Sequence, residues 1–238
     1  MDSKGNNICI NNIKKFIDDH ANDCDFIGIQ EYNNLEVLRE KSFKLATMGD
    51  THSKPLKYGP ITFYDKTKYG LDVTCHTMKF EFGIDQRRPI IINFFNDNLC
   101  VINVHAGHFT KPTTGEVYQP NDITTFNLSL KTYLETIKEC KDTFIRKLKT
   151  YNIIMLGDMN STIKDFSIII DDVQRDLYGG TKEPTCCSDL EKLDGKMTIV
   201  NLAFDHVLNS FSKQIKTVVY HNLSLHSDHN PVITTITV

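Results

Sequence analysis

The sequence predicts an α/β fold, and three stretches predict it. Ile10, Ile13, Phe16 and Ile17 repeat at helical spacing, and the helix they imply leads into the apolar run Asp25-Phe26-Ile27-Gly28-Ile29. Residues 90–95 and 99–104 are strongly β-forming and flank Asn96-Asp97-Asn98, which predicts a hairpin. An apolar stripe through Phe126, Leu130, Leu134, Ile137, Phe144 and Leu148 predicts one long helix, from Asp122 or Thr124 to about Leu148. That helix runs straight into the β-run 152–156. Helices alternating with strands make an α/β domain, and 238 residues suit a single domain over 1–238.

The remaining elements follow in order. Residues 1–7 are polar and predict a loose end before the first helix, which Asn22-Asp23 closes. Asn33 to Arg39 reads as helical. Residues 43–82 read as hairpin material, with strands at 44–48, 61–64 and 69–77 and a turn at Asp65-Lys66-Thr67-Lys68. Residues 109–122 form a loop with two prolines. Residues 166–170 and 173–177 read as helical or irregular, and 178–198, with Gly179-Gly180, Pro184 and Gly195, reads as a long loop. Strands are expected at 202–208, 215–219 and 233–238.

Composition narrows the function classes. The chain is 40% hydrophobic and 24% charged, which is ordinary for a globular domain. Its formal net charge of -3 gives no overall basic field for long nucleic acid, though a local basic groove is compatible with it. Seven cysteines in no framework spacing fit reduced thiols in an intracellular, cytoplasmic or nuclear protein. No apolar run reaches membrane length, and the first residues, MDSKGNN, are not those of a signal peptide. The oligomeric state is taken as monomeric.

Chemistry concentrates at strand ends. The run 152–156 stops at Gly157-Asp158-Met159-Asn160, which puts a carboxylate and an amide on one side at a strand's C-terminal edge. By composition alone this reads more readily as a turn. The strand at 25–29 closes on Gln30-Glu31, where Glu31 can equally be a solvated charge. The strand at 99–104 closes on His105, with His108 three residues on. A zinc site there lacks two further ligands at clear spacing. Asp205 lies in an apolar strand, and Ser227-Asp228-His229 precedes Pro231 and the terminal strand.

Taken in order, Gln30-Glu31, Asn103-Val104-His105, Gly157-Asp158-Met159-Asn160, Asp205-His206 and Ser227-Asp228-His229-Asn230-Pro231-Val232 resemble the endonuclease/exonuclease/phosphatase superfamily, the deoxyribonuclease I-like phosphoesterases. The matches extend from about residue 10 to the C-terminus. The resemblance implies a four-layer α/β sandwich, with two facing, mainly antiparallel sheets flanked by helices. It implies hydrolysis of phosphodiester or phosphomonoester bonds with Mg2+ or Mn2+, and a phosphate-ester substrate with nucleic acid foremost. Glu31 is then a metal ligand and Asp228 a second ligand or a water-positioner, and their hard oxygens suit those ions. Asp205 holds the His229 imidazole in one tautomer, and His229 orients or deprotonates the attacking water or stabilises phosphoryl oxygens. Asp158 positions or deprotonates that water, Asn160 binds a phosphate oxygen, and His105 contacts the phosphoryl group or the leaving oxygen. The general base stays open among these. Arg88, with Arg87 beside it, reads as a contact to substrate phosphate or as ordinary surface charge.

The superfamily's members usually begin with a strand that ends in an asparagine, often after Trp. This sequence contains no Trp, and its first helix is not preceded by an apolar strand. The expectation is a domain without that strand, which opens a second reading as a non-catalytic binding module. Within the enzymatic reading, inositol phosphates and sphingolipid headgroups are alternatives to a nuclease or nucleic-acid-end substrate. No amphipathic anchor favours the lipid.

Overall fold

A computed structural model describes residues 3–30, 43–46, 60–79, 89–106, 122–159, 166–193, 196–221 and 229–237. Helix α1 (Ser3–His20) and a 3-10 turn (Ala21–Asp23) lead into β1 (Phe26–Ile29). Then come β2 (Phe43–Leu45), β3 (Ile61–Asp65), the short α2 (Lys66–Tyr69) and β4 (Val73–Met78). Next are β5 (Ile90–Phe95), β6 (Leu99–His105), α3 (Asp122–Thr136), α4 (Lys141–Thr150) and β7 (Asn152–Asp158). The chain continues through β8 (Phe166–Ile170), β9 (Val173–Gly179), β10 (Cys186–Leu193), β11 (Lys196–Leu202), β12 (Asp205–Asn209), β13 (Ile215–Val219) and β14 (Val232–Ile236).

The central sheet has the order β4-β5-β6-β7-β12-β9-β8. Every pairing is antiparallel except β6 with β7. A parallel pair needs a long crossover, and α3 and α4 lie between these two strands in the chain. β5 and β6 are buried along nearly their whole length, because side chains alternate between two covered faces. On one face Ile90, Ile92, Phe94, Ile102 and Val104 meet Phe126, Leu130, Phe144 and Leu148 of α3 and α4. On the other, Phe95, Val101 and Leu156 meet Tyr64 and Ala46 beside the small sheet β1-β3-β2. Outside that sheet Ile17 and Ala21, from α1 and the turn after it, pack on Ile61 and Phe63. The layers are therefore helix, large sheet, small sheet and helix: the expected four-layer α/β sandwich. Phe16 and His20 also contact the Tyr220 ring, at 5.3 and 4.9 Å between centroids, so α1 reaches the β13–β14 pair as well.

Several local expectations are corrected. Residues 166–177 are a β-hairpin and not helical. Asp171 and Asp172, between Ile170 and Val173, both take positive φ (48° and 63°), as a two-residue type I′ turn requires. The long helix at 122–148 is two helices. Ile137 and Phe144 are seven residues apart, so the apolar phase carries across a break that Cys140 makes at φ 60°. Much of the expected loop at 178–198 is the β10–β11 hairpin. Leu193 pairs with Lys196, and the two intervening residues, Asp194-Gly195, are a common hairpin dipeptide. Helix α1 begins at Ser3, earlier than its apolar pattern suggested, and Lys66–Tyr69 is a helical turn capped by the Asp65 side chain. The helix expected at 33–39 lies outside the described residues.

Strand β8 is an edge of the large sheet, and α3 covers it. The Asn127 side chain donates Nδ2–H to Ser167 O (3.1 Å) and accepts Ile169 N–H at Oδ1 (2.9 Å), imitating a neighbouring strand. Among the described residues no helix is long and apolar enough to cross a membrane.

Candidate active site

The site is built from strand register. His105 is the last residue of β6 and Asp158 the last of β7, and the parallel ladder sets them side by side. Asp205 opens β12, and the antiparallel ladder sets it opposite Asp158. Residues opposite one another on neighbouring strands face the same way, so the three side chains share one rung at one end of the sheet. Along β7 the side chains of Ile154, Leu156 and Asp158 alternate onto the face toward the small sheet, which brings the carboxylate to the mouth between the sheets. The ladders continue past the strand ends, with Ala106 N–H donating to Asp158 O and Met159 N–H to Phe204 O, both at 2.8 Å.

Two glycines allow this close approach. A Cβ on Gly157 would lie 2.0 Å from Val104 O, and its φ of +130° belongs to backbone that L side chains rarely adopt. A Cβ on Gly28 would lie 1.9 Å from Leu156 Cδ1, so Gly28 lets β1 settle against β7. Asn103 fastens the two sheets beside His105. Its Nδ2–H groups donate to Ile61 O (2.9 Å) and Thr62 Oγ1 (3.1 Å), and its Oδ1 accepts from Gln30 Nε2 (2.9 Å). Gln30 immediately follows β1, so the end of that strand lies at the same mouth.

His229 completes the group. Its Nδ1–H donates to Asp205 Oδ2 at 2.8 Å, which fixes the tautomer and turns Nε2 toward Asp158 Oδ2, 3.8 Å away. His105 Nε2 lies 3.5 Å from the same Asp158 oxygen. Asp158 and His105 are almost completely buried, with side-chain exposures of 5% and 3%, while His229 retains 27%. Ligand atoms of Asp158, Asp205 and His229 all lie within 4.8 Å of one another. Two carboxylates on adjacent strands repel unless a positive charge intervenes. Their hard oxygens, with one imidazole, suit a divalent cation.

Four of the eight expected site residues, His105, Asp158, Asp205 and His229, are thus brought together from three strand ends and the segment before β14. Glu31, Arg88, Asn160 and Asp228 lie outside the described residues, as do Arg87 and His108. Thr185 was not expected. It is fully buried behind Asp205, in a stretch read as loop, and nothing but its Pro184-Thr185 position ahead of a strand marks it in sequence.

No protein-family model matches the chain. An uncharacterized protein, L684 of Acanthamoeba polyphaga mimivirus, is 35% identical over 239 residues, covering 96% of this chain and 43% of that protein. The chain therefore spans less than half the length of this curated relative. Truncated Caenorhabditis elegans TDP2 superposes with a TM-score of 0.55 at 14% identity, over 100% of this chain and 94% of that one. Such a match, at so low an identity, is a match of fold, and TDP2 is a member of the endonuclease/exonuclease/phosphatase superfamily. The chain has the endonuclease/exonuclease/phosphatase fold. D. rerio TDP2 complexed with single-strand DNA product shares this fold at a TM-score of 0.53 and 11% identity, over 94% of this chain and 90% of that one. ANGEL2, a 2',3'-cyclic phosphatase, does so at 0.53 and 16% identity, over 93% and 83%. In this endonuclease/exonuclease/phosphatase fold the buried Asp158, flanked by two imidazoles, stands at the C-terminal edge of the parallel pair β6–β7.

Proposed function

We propose that the chain is a divalent-cation-dependent phosphoesterase that hydrolyses phosphodiester or phosphomonoester bonds at nucleic-acid ends. The observation that carries this reading is the rung His105–Asp158–Asp205, with His229 hydrogen-bonded to one carboxylate and aimed at the other. Fold alone would not carry it, since one fold hosts many activities.

Phosphoester hydrolysis needs an oriented water, stabilisation of charge on the phosphoryl oxygens and help for the leaving oxygen. In this reading Asp158 accepts a hydrogen bond from the attacking water and takes its proton. Burial between two imidazoles keeps that water aimed. His229 Nε2 and His105 Nε2 flank the same carboxylate oxygen, so both rings can serve phosphoryl oxygens. Asp205 stabilises the imidazolium form of His229 and holds its ring plane. Glu31 and Asp228 would hold Mg2+ or Mn2+, with the neighbouring Asp158 and Asp205 carboxylates adding negative charge that favours the cation. When bound, the cation neutralises charge that develops on the phosphoryl group. Asn160 and Arg88 are the proposed phosphate contacts.

Two supports favour nucleic-acid ends over other phosphate esters. One fold neighbour holds a single-strand DNA product and another is a 2',3'-cyclic phosphatase. The formal net charge of -3 suits a short end better than a long duplex, whose binding calls for many phosphate contacts. The same reading takes the protein as intracellular, consistent with free thiols at Cys24, Cys100 and Cys140.

The test is cleavage of end-labelled oligonucleotides, a 2',3'-cyclic phosphate end, an inositol phosphate and sphingomyelin, with Mg2+ or Mn2+ and again with EDTA. Asp158→Asn should lower turnover by about 10²–10⁴-fold, as loss of a positioned base does. Undiminished turnover in that variant, or turnover indifferent to EDTA, would sink the reading. Metal binding without turnover of any substrate would replace hydrolysis with the binding-module alternative.

A further inference from the structure

Asp205 and His229 belong to segments that share no ladder among the described residues. β12 pairs with β7 and β9, whereas β14 pairs with β13. A 2.8 Å hydrogen bond between side chains on two such segments needs the backbones held at a fixed separation. Thr185 holds them. Its Oγ1 accepts the N–H groups of Phe204 (3.0 Å) and Asp205 (2.9 Å), using both acceptor sites of the hydroxyl. Its carbonyl accepts the N–H of Asn230, the residue after His229, at 2.6 Å. One fully buried residue therefore touches the backbone on both sides of the Asp205–His229 pair.

Thr185 is itself anchored. The stretch leading to it follows the start of β12, with Gly180 N–H donating to Val207 O (3.2 Å) and Thr181 N–H to His206 Nδ1 (3.0 Å). After it, Cys186 pairs with Leu202 at the root of the β10–β11 hairpin. Thr185 thus sits where that hairpin meets the catalytic rung, and Phe204 passes the constraint on to β7 through its bond from Met159.

We propose that Thr185 is a positioning residue that sets the Asp205–His229 geometry, and so the aim of His229 Nε2 at Asp158. Its hydroxyl fixes where Asp205 starts, and its carbonyl fixes where His229 lies. These bonds are all to backbone, so it acts through Asp205 and His229. Reactions of this kind lose about 10²-fold for a misplacement of roughly 1 Å.

The test compares Thr185→Val, which keeps the shape and removes the acceptor, with Thr185→Ser, which keeps the oxygen. The spectroscopic readout is the downfield proton resonance of His229 Nδ1–H, assigned by its absence from His229→Gln. Valine should abolish or shift this resonance, and serine should keep it. Alanine, read in the same way, serves if valine is not accommodated. In kinetics, valine should lower kcat at least tenfold with KM within about twofold, and serine should restore it. A valine or alanine variant with the wild-type resonance overturns the proposal. So does a serine variant that loses it, because the oxygen would then not be what matters. Only the kinetic arm rests on the phosphoesterase reading. If the wild-type protein turns over no phosphoester, that reading fails while the resonance still decides the role of Thr185.

Discussion

Replacing Gly157 by alanine should damage stability and chemistry together, and the structure sets the scale of each. Two penalties add. The first is conformational: a φ of +130° is glycine backbone, and holding alanine there costs about 1–3 kcal/mol. The second is steric. The new Cβ meets Val104 O at 2.0 Å, and Val104 is the register partner of Gly157 on β6. Backbone cannot swing aside as a side-chain tip can, so β6 and β7 must part by more than about 1 Å to restore van der Waals distance. Parting them threatens the Ala106 N–H bond to Asp158 O. An unmade buried hydrogen bond costs about 1–3 kcal/mol. The total, about 2–6 kcal/mol, is a large share of the 5–15 kcal/mol that ordinarily holds a domain together. Urea unfolding followed by circular dichroism should show the unfolding free energy fall by that amount, as a lower midpoint at unchanged slope. In the fraction that stays folded, Asp158 shifts against His105, and kcat should drop roughly 10²-fold. A Gly157→Ala protein within 1 kcal/mol of wild type would refute the reasoning, for the clash would then be relieved at no cost.

Three further outcomes are expected. Arg175 donates from Nη1 to Leu148 O and Tyr151 O, both at 2.6 Å, and from Nη2 to Ser210 Oγ at 3.0 Å. Arg175→Met should cost about 2–4 kcal/mol by orphaning these acceptors. By calorimetry that lowers Tm by roughly 4–16 °C, with kcat unchanged below the transition because these bonds lie at the end of β7 away from Asp158. An equal loss of kcat would count against that separation. Burial, and then the charge of Lys147, hold the His76 imidazole below its ordinary value near 6.5. The unfolded chain then takes up the proton first, so stability is full above that ordinary value, falls as the pH drops through it, and levels off below the folded value. His76→Gln should remove this part of the slope in Tm between pH 7 and 5, and an unchanged slope would assign it elsewhere. Asn127→Ala should uncover the β8 edge and raise self-association, measured by sedimentation, with little change in Tm. Unchanged sedimentation at high concentration would mean the edge needs no cover.

What could be read from sequence was local. Ile10 to Ile17 repeat at helical spacing, residues 90–95 and 99–104 are strongly β-forming around an Asn-Asp-Asn turn, and the run to Leu156 stops at Gly157. Each forms, with α1 starting earlier and β7 running on to Asp158, because neighbouring residues decide it. Other stretches carry ambiguous local signals. Ile137 and Phe144 keep the apolar phase across the break at Cys140, and Asp171-Asp172 is a weaker turn signal than Asn-Gly. Short apolar runs such as 166–170 suit helix and strand alike until a partner strand is known.

The sequence by itself determined that a carboxylate ends β7, that imidazoles flank other strands, and, through their order, which superfamily they resemble. Tertiary structure alone decided that His105, Asp158 and Asp205 occupy one rung and that His229 reaches across to join them. Register depends on which strands pair, and β7 pairs with β6 and β12, respectively some 50 residues before it and after it in the chain. Thr185 shows the same limit. Its importance lies in three backbone partners from two distant segments, and no local pattern encodes contacts of that range.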